Sequence, residues 1–160
     1  MGLSVIRGGN GTSKWDEDAE RSVIGAVLLH PEAIRRVKLT PEEYFDRRNQ
    51  AIWGAMLELD RAGKGIDPVL VESALGSSIG PKRASELLLH LSECSGIVPT
   101  SDNIEHYAAI VADHAQQRRV VQATADVLER AKRGDLDGKD LAEYAQEILW
   151  PALKPRARAA

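Results

Sequence analysis

The chain is predicted to be all-α, a compact helical head followed by an antiparallel helical hairpin, and three observations predict it. Apolar residues recur at three- and four-residue spacing through most of the 160 positions. Helix-start signals, aspartate or threonine followed by proline or acidic residues, punctuate the first part of the chain. From Asp102 to Arg133 there is neither proline nor glycine, so one long helix can run uninterrupted.

Taken in order, Ala19, Val23, Ala26 and Val27 form the stripe of a first helix over Asp16–Leu29, with Ile24 and Leu28 alongside. Asp16, Glu17 and Asp18 place negative charge in its first turn, where the helix dipole favours it. His30-Pro31 ends this helix, and Pro31 suits the first position of a short one. Thr40-Pro41-Glu42-Glu43 reads as a capping box that opens the next helix, whose stripe is Ile52, Ala55, Met56 and Leu59. Gly63 and Gly65 stop it. Asp67-Pro68 starts a short helix holding Val69, Leu70, Val71 and Leu75, and Ala84, Leu87, Leu88 and Leu91 mark another that ends before Ser95-Gly96.

The long helix carries a broken seam of Ile104, Ala108, Val111, Ala115, Val120, Thr124, Val127 and Ala131, interrupted by the polar Asp113-His114 and Gln116–Arg119. Lys132-Arg133 followed by Gly134 is a favourable C-terminus. A second hairpin helix over Lys139–Leu149 sets Leu141, Tyr144, Ala145, Ile148 and Leu149 on one side. The expected organisation is a flexible arm at 1–14, the head at 15–101, the hairpin at 102–150 and a basic tail at 151–160. Two helices alone leave apolar surface uncovered. The hairpin must therefore lie back on its own head or pair with another hairpin. Val111, Val120, Val127, Leu141 and Ile148 are the candidate self-association seam.

Composition narrows the function. Hydrophobic residues at 43% and charged residues at 28% are ordinary for a globular protein. The net charge of -3 argues against a dedicated nucleic-acid binder, which carries a basic excess. The single cysteine, Cys94, excludes an internal disulfide and any multi-cysteine zinc site, and fits a reducing cytoplasm. The start has no apolar run long enough for a signal peptide or membrane span. Met1-Gly2 lacks the Ser or Thr that myristoylation wants at position 6, where Ile6 stands. Asn10-Gly11-Thr12 is a glycosylation sequon, idle in a cytoplasmic protein.

No catalytic residue, cofactor or metal is expected. A phosphate-binding loop needs glycines, lysine and a hydroxyl in fixed order, so that backbone N–H groups wrap the phosphates. Gly8–Lys14 has the composition without the order, and Gly63-Lys64-Gly65 lacks the leading glycine and the hydroxyl. His106 and His114 stand roughly 80° apart and over two turns distant on one helix, too far for a shared ion. The acidic pairs sit at helix starts and polar faces. Neither Ser95 nor Ser101 lies in a nucleophile elbow. The scarce aromatics Tyr44, Phe45 and Trp53 fit the head's core, with an exposed hot spot as the alternative.

Several segments in order resemble the N-terminal domain of DnaB-type replicative DNA helicases. DAERSVIGAVLLHPEAI is similar to that domain's first helix and turn. PEEYFDRRNQAIWGAMLELDRAGKGID carries an aromatic pair (Tyr44-Phe45), an aliphatic-aromatic pair (Ile52-Trp53) and a closing Gly63, Ile66 and Asp67. ELLLHLSECSGIVPTSDNIEHYAAIV and DLDGKDLAEYAQEIL resemble the Val-Pro loop with its flanking helices and the acidic helix that closes the hairpin. Asn49 departs from the pattern, which often has histidine there.

The resemblance implies a domain that performs no chemistry, dimerises through its hairpin and contacts a DnaG-type primase. Expected partners are a second copy, a primase or a full-length replicative helicase, with DNA touched only weakly and no membrane. The chain is then either a stand-alone product that joins such a helicase or a piece of a longer one. Rival readings are a nucleic-acid adaptor using Arg118-Arg119, Lys132-Arg133, Arg156 and Arg158, or a small helical hydrolase with a concave pocket.

Overall fold

The computed structural model describes residues 15–154. The expected arm at 1–14 and the tail residues Arg156 and Arg158 lie outside the described residues. The described residues form six α-helices: α1 (Glu17–Leu29), α2 (Arg47–Arg61), α3 (Pro68–Ile79), α4 (Pro81–Ser95), α5 (Ile104–Lys132) and α6 (Gly138–Leu153). Two 3-10 turns, Pro31–Arg36 and Pro41–Glu43, lie between α1 and α2, and no strand occurs among the described residues. None of these helices is long and apolar enough to cross a membrane.

Local chemistry explains most of the boundaries. Asp16, Asp46, Asp67 and Asp137 each accept a hydrogen bond from a backbone N–H in the first turn of α1, α2, α3 and α6, at 2.8 to 2.9 Å. Gly80 turns α3 into α4 at φ 89°, a conformation that a side chain would strain, and Pro81 opens α4 behind it.

The capping box at Thr40 forms, with the Thr40 N–H donating to Glu43 Oε2 at 2.8 Å, but it caps only a 3-10 turn. The chain breaks at Tyr44–Asp46 before α2 begins. The cause lies in α1: the buried Glu20 carboxylate accepts from the N–H groups of Phe45 at 2.5 Å and Asp46 at 3.3 Å, removing them from any helical ladder.

α1 is the central helix. Val23, Ile24, Ala26 and Val27 are fully buried, and so are Ile52, Trp53 and Met56 of α2. Burying apolar surface on this scale is the main driving force for the head. Gly25 lets α1 approach the end of α4: a Cβ there would stand 2.3 Å from the Cys94 carbonyl oxygen. Tyr44 and Trp53 pack with ring centroids 5.5 Å apart in the core. The Trp53 indole N–H donates to the Leu39 carbonyl at 2.9 Å. Phe45 instead sits at the surface, 38% exposed.

Two expected boundaries move. The head does not end at Ser101, because Ile104, Ala108 and Val111 are part of its buried core and the first turns of α5 belong to it. The second hairpin helix does not stop at Leu149 or give way to a loose tail at 151. It continues through Pro151 to Leu153. Proline cannot donate to the Glu147 carbonyl four residues back, and a break so near the end costs the helix only one bond. At that end the Gln116 amide donates to the Ala152 carbonyl at 2.6 Å.

Candidate functional site

Among the described residues, the hairpin of α5 and α6 buries few of its side chains beyond the first turns of α5. Beyond Ala115, the only buried residue on α5 is Ala123, and on α6 only Ala152. Two contacts set the antiparallel register: Gln116 with the Ala152 carbonyl, and the Arg130 guanidinium 5.9 Å from the centre of the Tyr144 ring. In this register Val120, Val127, Leu141 and Ile148 fall where the two helices face each other, and all four are half-buried. Val111 is not with them. It is buried in the head's core.

The side chains that face solvent are others. Val121 is 63% and Leu128 53% exposed on the outer side of α5, two turns apart with the exposed Thr124 and Ala125 between them. On α6, Trp150 is 58% and Leu153 55% exposed. Sequence periodicity marks the apolar stripe of a helix but not which of two adjacent stripes the neighbouring helix will cover. The outer stripe is therefore found only from the fold.

A polar cluster inside the head anchors the hairpin. The Asn49 amide donates to Glu20 Oε2 at 2.8 Å, and its oxygen stands 2.7 Å from His90 Nε2. A carboxylate can only accept, so the amide nitrogen faces Glu20 and the His90 Nε2–H donates to Asn49. Burial raises the Glu20 pKa above its ordinary value, opposed by the bonds from Asn49, Phe45 and Asp46 and by the charge of Arg118. Burial also lowers the His90 pKa, helped by the Arg48 charge. The Cys94 thiol, fully buried, is pushed up to about 11 by desolvation and is no nucleophile at neutral pH.

Arg118, in the middle of α5, answers the Glu20 charge from the hairpin side. Its guanidinium donates to the Glu43 carbonyl at 2.8 Å and lies 5.4 Å from the centre of the Phe45 ring, which packs on Trp15 at 4.9 Å. At the start of α5, Arg36 reaches the carbonyls of Ser101 and Asp102 and the Glu105 carboxylate. The sequence presents Arg118 as one of a surface basic pair, whereas the fold uses it as a strut. Arg119 bonds to Gln116, and Arg130 holds Asp135 at 2.6 Å.

Residues 12–113 match the family model described as DnaB-like helicase N terminal domain. The chain is 33% identical over 114 residues to the replicative DNA helicase DnaB of Geobacillus stearothermophilus, covering 69% of this chain and 24% of that protein. Against the replicative DNA helicase DnaC of Bacillus subtilis it is 28% identical over 134 residues, covering 82% and 29%. The chain thus spans less than a third of the length of these relatives. The N-terminal domain of DnaB helicase from Mycobacterium tuberculosis superposes with a TM-score of 0.78 at 31% identity, covering 85% of this chain and 96% of that one. A solved DnaB-like replicative helicase, described with its interactions with primase, shares the fold at a TM-score of 0.68 and 22% identity. The order of helices, the hairpin carried on a head and these matches agree, and the chain belongs to the family of DnaB-like helicase N-terminal domains.

Proposed function

We propose that this chain is a non-catalytic interaction and oligomerisation module of the DNA replication machinery, acting in the cytoplasm. It associates with a second copy through the hairpin and contacts a primase or a replicative helicase. The observation that carries this reading is the outer apolar stripe of Val121 and Leu128 on a hairpin the head leaves bare. Side chains of this kind gain about 25 cal/mol for each Å² they remove from water, so a partner helix covering them is stabilised. Family membership supports the replicative setting, and the primase-interacting neighbour of the same fold supports the choice of partner.

Sedimentation over a range of concentrations tests it. The wild type should pass from monomer to dimer, and the double variant V121D/L128D should stay monomeric with unchanged helical content, since both positions already face water. A wild type that remains monomeric, or a variant that dimerises equally well, would refute the reading.

The nucleic-acid adaptor is disfavoured by the engagement of Arg118 and Arg119, two of the arginines it would use, within the fold. Retardation of DNA that weakens steeply with salt would restore it.

A further inference from the structure

We propose that residues 3–6 of the chain fold back onto the outer stripe of α5 in the same molecule, covering Val121 and Leu128 in competition with a second copy. This rests on the self-association reading above and adds how that surface is regulated.

The place where the chain enters the head points to the occupant. Trp15, the first described residue, packs on Phe45 at 4.9 Å, and the Arg118 guanidinium lies 5.4 Å from the centre of the same Phe45 ring. The segment before Trp15 therefore departs beside the middle of α5. At 100° per residue, Val121 and Leu128 stand roughly 60° and 80° round the helix from Arg118, on one side of it. They lie about 5 Å and 15 Å further along its axis. The stripe thus begins within a turn of the residue that meets the entry point.

Composition fits the reach. Residues 3–6 are Leu-Ser-Val-Ile, three large apolar side chains in four positions. Residues 8–14, Gly-Gly-Asn-Gly-Thr-Ser-Lys, hold three glycines and no large apolar residue. A glycine-rich spacer of this length covers about 15 Å on average and at most about 23 Å. It brings residues 3–6 to both positions of the stripe. A tether matched to its span presents its end at millimolar effective concentration, which a second copy in dilute solution does not reach.

The test uses the full chain and its L3D/V5D/I6D variant in sedimentation over a range of concentrations. A segment that covers the stripe about two-thirds of the time leaves both copies open about one time in nine, so the variant should dimerise about tenfold more tightly, with helical content unchanged. A spin label on S4C reads the contact itself in the dilute monomer, since Cys94 is buried and takes no label. It should broaden the amide signals around Val121 and Leu128, and the broadening should vanish in S4C/V121D/L128D. Equal dimerisation of variant and wild type, or signals that stay sharp, would overturn the proposal. Weaker dimerisation of the variant would overturn it too, because the segment would then strap a second copy. If neither form dimerises while the broadening persists, the self-association reading fails and the contact within one chain stands.

Discussion

Asn49 sits at the crossing of three helices, and its amide decides how two ionisable side chains behave. It bridges Glu20 of α1 to His90 of α4, both buried. His90 is held below the ordinary imidazole value of 6.5, so it is neutral in the folded chain while the unfolded chain takes up a proton as pH falls through 6.5. The stability this provides is complete above pH 6.5 and is lost as pH falls toward the folded pKa. Glu20 works in the opposite sense: its raised pKa makes the fold gain stability as pH falls toward 4.5. Between pH 7.5 and 5.5 an H90Q variant, which keeps a donor for Asn49 and cannot titrate, should lose less stability than the wild type. Denaturant melts at the two pH values decide this, and parallel losses would show that His90 contributes nothing to the slope. At this scale the sequence is nearly mute. It shows Asn49 as a departure from the family's histidine, but its two partners lie 29 and 41 residues away.

Helices are the scale at which the sequence is most readable, because the signals that start them are local. Aspartate caps and prolines at first positions lie within a turn of what they control. The misjudged ends have distant or unusual causes. The break before α2 depends on a carboxylate 25 residues upstream. The extra turn of α6 runs against the habit of proline to stop a helix. The tie between α5 and the head likewise rests on Arg118, whose contacts lie 75 residues away in sequence. Replacing it with alanine should cost about 2 kcal/mol, because the Glu43 carbonyl loses a charged donor and Glu20 loses a nearby cation. Lysine should recover only part of this, since it cannot stack on Phe45 and hold the carbonyl together. Chemical denaturation of R118A and R118K checks the order, and equal stability of all three proteins would exclude the strut.

Across the whole molecule, the division into head and hairpin is legible from the proline- and glycine-free stretch, but its position is not. The seam of α5 is continuous in sequence, and only the fold shows that Ile104, Ala108 and Val111 join the head's core while Val120 and Val127 stay half-buried on the hairpin. Protection should follow the fold. Amide hydrogen exchange is expected to be slowest in α1, α2 and the first turns of α5, and much faster in α6 and in α5 beyond Ala123. Uniform protection along α5 in a dilute monomer would show that the bare hairpin is as firmly held as the core. Dimer formation should slow exchange in the stretch containing Val121 and Leu128.

The 29 residues of α5 form a single rod of about 43 Å, with one end sunk among the core side chains and the other on the exposed hairpin. A pull or twist delivered to the projecting tip acts with leverage on α1 and the buried carboxylate beside it, with no joint in between to absorb it. A ligand that grips the tip is thus mechanically coupled to the interior of the head, and can shift how firmly that interior is packed without touching it.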